Sequence, residues 1–279
     1  MRKKGFVLIL MTAVLVSAAW IQYEKSFQIE TAADLAPVIS AKGAILIDVA
    51  DGRVIYEKSA EEKLAPASTT KIMTALVALE IMEEIDADLN SRIKIPKAAV
   101  GIEGSSLYLK ENEDVSVEEL LYGMMLQSGN DAATATALSL GGSTEAFVER
   151  MNDRAREIGC KNTHFTGPSG LYDENHYTTA ADLAMIAREA MKNRTFRKIV
   201  AAENWHSKDT GRTFSNKNKT ISQYDGATGI KIGYTKASGR TLVASAKRGD
   251  RELIAVMLDD PNWFKDAYAL LDYGFMREE

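Results

Sequence analysis

Ser68 and Lys71 stand three residues apart at the start of an apolar run, Ala67-Ser68-Thr69-Thr70-Lys71-Ile72-Met73-Thr74-Ala75-Leu76-Val77-Ala78-Leu79-Glu80, that follows Pro66. Residues three apart on a helix face the same way, so the Lys71 amine can reach the Ser68 hydroxyl, and the positive end of the helix dipole favours negative charge developing there. The run is apolar on most faces, which predicts a buried helix. Burial disfavours the charged form of a lysine, and a lysine needs that to act as a base near neutral pH. The pair therefore reads as a nucleophile beside a base. The same residues also fit a helix-capping serine and a lysine snorkelling to water. Ser91-Arg92-Ile93-Lys94 repeats the spacing just before Pro96, where no helix is expected, so the pattern alone is cheap.

Two further polar groups lie downstream. Leu126-Gln127-Ser128-Gly129-Asn130-Asp131 joins a capped helix to the Ala-rich run 132–138, placing Ser128 and Asn130 on a short helix connection. A hydroxyl and an amide there also suit a local cap. Thr228-Gly229-Ile230-Lys231-Ile232-Gly233-Tyr234-Thr235 reads as a strand whose glycines let another backbone or a ligand lie close.

The elements that must hold these groups are marked locally. Residues 43–49 and 53–57 are β-branched runs joined through Asp51-Gly52, a hairpin signal. Residues 241–246 and 252–258 form a second strand pair. Between them the chain is helical. Ser116 and Glu119 make a capping box ahead of Val117, Leu120, Leu121, Met124 and Met125 on one face. Ser143 opens a helix that ends at Gly159, Thr179 and Asp182 cap another running to about Met191, and a last helix starts near Trp263. The predicted fold is α/β of the α+β kind: an antiparallel sheet built from both chain ends, flanked by helices, with an inserted all-α subdomain.

Composition excludes other classes. The formal charge is −5, from 34 Lys+Arg against 39 Asp+Glu, and no long basic run is present, so nucleic acid is not an expected partner. One cysteine, Cys160, allows no internal disulfide or thiolate zinc cluster, and His164, His176 and His206 lack metal-site spacing. Cys160 reads as an inert buried residue. No metal or cofactor is expected. Arg2, Lys3 and Lys4 precede an apolar stretch from Phe6 to Ile21 containing Val16-Ser17-Ala18-Ala19, the outline of a secretory signal. At about sixteen residues it falls just under the roughly 18 of a spanning helix, and a retained anchor is the alternative. The expected organisation is a signal peptide or anchor over 1–21, a leader over 22–41 and a catalytic domain over 42–279. The expected location is outside the cytoplasm, with membrane contact only through the N-terminal segment.

Taken in order, Ser-x-x-Lys opening a buried helix, Ser-x-Asn on a helix connection and Lys-x-Gly on a strand resemble the signature set of active-site serine penicillin-binding proteins and β-lactamases. Residues 103–109, 119–133 and 162–171 are similar to the D-alanyl-D-alanine carboxypeptidase branch, and the likeness runs from about Ala41 to Leu270-Leu271-Asp272-Tyr273-Gly274-Phe275. Members of that family often carry a further C-terminal β-domain and membrane-binding tail; the resemblance here ends with the catalytic domain. It implies that Ser68 is acylated by a peptidoglycan stem peptide with release of terminal D-Ala, Lys71 taking the Ser68 proton. Ser128 would relay a proton to the leaving amine, and Asn130 would orient Lys71 and the substrate amide. Lys231 would attract the terminal carboxylate, and the backbone N–H groups of Ser68 and Tyr234 would form the oxyanion hole beside Gly233. β-Lactam antibiotics would be covalent inhibitors, and His176 would be structural.

One position departs from the family. Its third motif has Thr or Ser where this chain has Ile232, which cannot donate a hydrogen bond to the substrate carboxylate. Such a bond is worth about 1.5 to 3 kcal/mol, so a slowed carboxypeptidase is expected. The alternatives are a catalytically degenerate peptidoglycan-binding or regulatory module, and a β-lactamase. Against the latter, residues 131–230 hold no E-x-x-L-N type segment for a deacylating glutamate.

Overall fold

A computed structural model of the chain describes residues 35–277. The expected signal segment 1–21 and most of the leader lie outside the described residues. The elements follow in chain order: β1 (Gly43–Asp48), β2 (Val54–Lys58), α1 (Lys71–Glu84), β3 (Arg92–Lys94), β4 (Asp114–Ser116), α2 (Val117–Tyr122), α3 (Asn130–Gly141), α4 (Thr144–Ile158), α5 (Ala180–Ala190), α6 (Arg194–Val200), β5 (Asn204–His206), β6 (Thr213–Ser215), α7 (Thr220–Gln223), β7 (Ala227–Thr235), β8 (Gly239–Arg248), β9 (Arg251–Leu258) and α8 (Trp263–Met276).

Five strands make one antiparallel sheet in the order β2-β1-β9-β8-β7, so both chain ends build it and β7 is an edge. Side-chain alternation divides its two faces. Ala44, Leu46, Leu242, Ala244, Leu253, Ala255 and Met257 pack with Ala267, Leu270 and Leu271 of α8. Their neighbours Ile45, Ile47, Val243, Ile254 and Val256 face the helical side with Ile72, Leu76 and Leu183. Each fully buried aliphatic side chain contributes about 1.5–3 kcal/mol relative to exposure. The described end of the leader belongs to this packing. Ile39 and Ala41 are buried, and the Ser40 hydroxyl donates to Asp266 Oδ2 at 2.7 Å.

The structure refines the expected elements at four places. The Asp51-Gly52 signal lies in a five-residue loop, with Asp48 N donating to Arg53 O at 2.9 Å, so β2 begins at Val54. Ser116 caps α2 by accepting from Glu119 N at 3.2 Å, but the Glu119 carboxylate does not close the box. It is fully buried and accepts from Ser207, Thr210 and Arg212, because three donors from another segment outcompete one local N–H. The helix begun at Val117 widens into a π-turn over Gly123–Gln127. Finally, α6 and the two-stranded sheets β3-β4 and β5-β6 were too short to show a period in the sequence.

Candidate active site

Pro66 carries the chain into a single 3-10 turn, Ala67–Thr70, and α1 begins only at Lys71. Ser68 thus sits one turn before the α-helix proper, not in its first turn. The Pro66 carbonyl fixes this turn by accepting from Thr69 Oγ1 at 2.6 Å and from Thr241 Oγ1 of β8 at 3.0 Å. Gly170 closes the other side. Its φ is +81°, and a Cβ there would stand 1.8 Å from the Ala67 carbonyl oxygen, so only glycine lets the 169–170 backbone reach the turn.

Lys71 is fully buried, and its Nζ lies 2.9 Å from Ser68 Oγ, 2.7 Å from Asn130 Oδ1 and 2.5 Å from the Ser169 carbonyl oxygen. Burial, reinforced by the nearby positive charges of Lys231 and Lys217, holds its pKa well below the ordinary 10.5; Asp131 opposes the shift. The alternative of a lysine snorkelling to water is excluded by this burial.

Asn130 is the first residue of α3, and Ser128 lies on the two-residue connection before it, in the left-handed region at φ +66°. Asn130 donates through Nδ2 to the Glu103 carbonyl at 2.7 Å and accepts from Lys71 through Oδ1, which fixes its amide orientation. Asp131 anchors the neighbouring loop by accepting from Ser106 Oγ and from Leu107 N and Leu109 N. Ser128 is 6% exposed.

Lys231 and Gly233 come from edge strand β7. Lys231 is 1% exposed and donates to the Ile232 carbonyl at 3.2 Å. Burial, with help from Lys217, pushes it down to about 7. Gly233 is required by proximity: a Cβ there would stand 2.8 Å from Ser68 N and 2.5 Å from Thr241 Oγ1. The Tyr234 side chain is 63% exposed at the rim. Ile232 is half-buried and packs against the cluster beneath α8.

The fold therefore hydrogen-bonds Lys71 to Ser68 and Asn130, and lays β7 against the Ser68 backbone. The sequence reading missed the carbonyls of Ser169 and Glu103, which carry no residue-type signal, and Lys217. His176 packs behind the site. Thr166 N donates to its Nδ1 at 3.0 Å, so Nε2 carries the proton toward Thr70 Oγ1 at 2.8 Å, and burial pushes the ring down to about 4. Ser91 and Lys94 flank and end a short strand, as the proline signal implied. Cys160 is half-buried, not buried as expected, and burial pushes its thiol up to about 12, which disfavours the reactive thiolate. A groove of about 820 Å³ between α1 and α4 shares no residue with the site, and its Arg154 already pairs with Glu80 and Glu189 at 2.9 Å each. Among the described residues no group of three or more His, Cys, Asp or Glu is placed to hold a metal ion, and no helix is long and apolar enough to cross a membrane.

A mixed sheet-and-helix fold presenting serine, lysine and asparagine beside an edge strand defines a class of active-site serine acyl-transfer proteins. Residues 28–262 match the D-alanyl-D-alanine carboxypeptidase family model, and the chain belongs to that family. It is 40% identical over 220 residues to D-alanyl-D-alanine carboxypeptidase DacF of Bacillus subtilis, covering 78% of this chain and 57% of that protein. It is 34% identical over 260 residues to a D-alanyl-D-alanine carboxypeptidase of Streptomyces sp. strain K15, covering 86% and 88%. The crystal structure of the Streptomyces K15 DD-transpeptidase superposes with a TM-score of 0.81 at 36% identity, over 87% of this chain and all of that one. The chain thus spans less than two thirds of the Bacillus protein's length and most of the Streptomyces one.

Proposed function

We propose that the protein is a serine-type D-Ala-D-Ala carboxypeptidase acting on peptidoglycan stem peptides outside the cytoplasm. The observation that carries this reading is the placement of the buried Lys71 amine within hydrogen-bond reach of Ser68 Oγ, Asn130 Oδ1 and the Ser169 carbonyl. Two of its three neighbours, Asn130 Oδ1 and the Ser169 carbonyl, can only accept. As an ammonium Lys71 donates to all three, Ser68 Oγ included at 2.9 Å; as a neutral amine it satisfies those two acceptors and has a lone pair left to accept from the Ser68 hydroxyl. Burial favours that neutral form.

Ser68 Oγ attacks the carbonyl carbon of the penultimate D-Ala while its proton passes to Lys71 Nζ. The tetrahedral oxyanion lies against Ser68 N and Tyr234 N. The C–N bond then breaks, the leaving amine takes a proton through Ser128, and D-Ala departs. Asn130 holds both Lys71 and the substrate amide. Water hydrolyses the acyl-enzyme ester. Lys231 supplies positive potential for the terminal carboxylate, and Ile232 supplies no donor, which slows turnover.

The test is intact mass spectrometry after incubation with a penicillin, on wild type and Ser68→Ala, together with a D-Ala release assay. A Ser68-dependent adduct and Ser68-dependent release are expected. An adduct without release would establish a degenerate, binding-only site, rapid loss of the adduct a β-lactamase, and absence of any adduct would defeat the acyl-enzyme reading.

A further inference from the structure

The carboxylate of Asp131, one residue past Asn130, takes part in none of the chemical steps above, yet it is 1% exposed and densely bonded. Ser106 Oγ donates to its Oδ2 at 2.7 Å, Leu107 N donates to its two oxygens at 2.9 and 3.0 Å, and Leu109 N donates to Oδ2 at 3.2 Å. These donors all come from residues 106–109. Hydrogen bonds to an ionised carboxylate are stronger than neutral ones, so one side chain fastens this loop to the start of α3. Within the loop the exposed Tyr108 is kept at φ +58°, between the buried Leu107 and Leu109.

The residues just before this loop wrap Asn130. The Ser105 carbonyl accepts from Asn130 N at 2.7 Å, and the Glu103 carbonyl accepts from Asn130 Nδ2 at 2.7 Å. Between them Gly104, at φ +86°, comes so near that a Cβ there would stand 2.8 Å from Asn130 Nδ2. A primary amide can present either end to a neighbour, and an NH2 turned toward Lys71 would set donors against an amine that must itself donate. The Glu103 carbonyl selects the orientation: it can only accept, so it takes Nδ2 and leaves Oδ1 for Lys71. Glu103 and Gly104 are exposed, so no packing of their own holds that carbonyl in place.

We propose that Asp131 is a positioning residue for acylation: by fastening residues 106–109 it holds the Glu103 and Ser105 carbonyls against Asn130, and so keeps the Asn130 oxygen turned to Lys71. This role rests on the acyl-enzyme reading above. The hydrogen bonds of Asp131 run to the loop and to Ala132 N, at 2.9 Å, and not to Ser68 or Lys71, so it acts through Asn130.

The experiment measures the rate at which a penicillin acylates Ser68, by intact mass spectrometry, in a double-mutant cycle of Asp131→Asn and Asn130→Ala. Asparagine keeps the size of Asp131 but sets an NH2 against loop N–H groups, which should release the loop. In the wild-type background Asp131→Asn should slow acylation by about ten- to a hundredfold. In the Asn130→Ala background, where no amide is left to orient, it should cost less than about threefold. No slowing by Asp131→Asn, or an equal cost in both backgrounds as a merely structural carboxylate would give, overturns the proposal. Gly104→Ala presses on the Asn130 amide from an exposed position and keeps the Asp131 charge, so it should slow acylation by about tenfold or more. An unchanged rate in the folded Gly104→Ala protein likewise overturns the proposal. A wild type that forms no adduct defeats the acyl-enzyme reading itself, whereas adduct formation without the expected coupling removes only the role of Asp131.

Discussion

Lys71 Nζ and Asn130 Oδ1, 59 positions apart in the chain, lie 2.7 Å apart in the fold. That bond joins α1 to α3. It turns a lysine with three possible protons into an amine with a defined direction, because the Asn130 oxygen and the Ser169 carbonyl claim two N–H groups between them.

Lys71→Met should remove the base while keeping an apolar side chain of similar length in a buried site. Loss of general-base catalysis is expected to slow penicillin acylation of Ser68 by about 10²–10⁴-fold. The thermal midpoint should fall, since relief of the buried amine is offset by about 1–3 kcal/mol for each of Asn130 Oδ1 and the Ser169 carbonyl left without its donor. Acylation within a factor of two or three of wild type, followed by mass spectrometry, would remove Lys71 from the mechanism.

Lys231 gives the activity a pH dependence of known sign. Burial and the Lys217 charge depress its pKa from 10.5 to about 7, so the free enzyme holds it charged below that value and neutral above it. The carboxylate-attracting role proposed for it needs the charge, so kcat/KM should fall as pH rises through about 7. A bound carboxylate restores the charge, so the limb in kcat should sit higher. Lys231→Arg, which stays charged, should abolish the limb at 7 if the variant retains activity.

Ile232→Thr adds a donor beside Lys231. A hydrogen bond to a carboxylate is worth about 1.5–3 kcal/mol, so D-Ala release should rise by roughly ten- to a hundredfold. The apolar contact that Ile232 makes beneath α8 is lost, and stability should drop by about 1 kcal/mol. An unchanged or lower kcat/KM in the folded variant would refute the assignment of slow turnover to this position.

Gly233→Ala forces a methyl to within 2.8 Å of Ser68 N and 2.5 Å of Thr241 Oγ1. The strand must withdraw from the Ser68 turn, at a cost of about 1–3 kcal/mol. Adduct formation should slow far more than this stability change would suggest. Normal acylation kinetics in a folded Gly233→Ala protein would show that β7 need not approach so closely.

His176 makes stability pH-dependent. The unfolded ring binds its proton near 6.5 and the folded ring only near 4, so between those values the unfolded state binds more protons and stability falls as pH falls. The full difference is about 3 kcal/mol. Denaturant unfolding at pH 7 and pH 4.5 should show this loss in wild type and a flatter response in His176→Gln; equal slopes in both proteins would rule the ring out as its source.

Much of the chain was legible because its signals are local. Ser68 and Lys71 declare themselves by a spacing of three, and the strands at 43–49 and 252–258 show as β-branched and apolar runs bounded by turn signals. Ser143 and Thr179 cap their helices, accepting from Ala146 N and Asp182 N at 3.0 Å, but the Asp182 carboxylate leaves its local cap to accept from Asn162 N and Thr163 Oγ1. What the tertiary structure alone decided are the contacts made by groups with no residue signature or by residues distant in the chain. The Ser169 carbonyl reaches Lys71 across 98 positions, Glu119 leaves its local N–H for donors near 210, and Lys217 arrives at the Ser128 turn on a hairpin. A sequence specifies which side chains can be buried and how the backbone turns within a few residues. Which backbone oxygen or distant cation fills the remaining valences of a buried amine is fixed only when the segments pack.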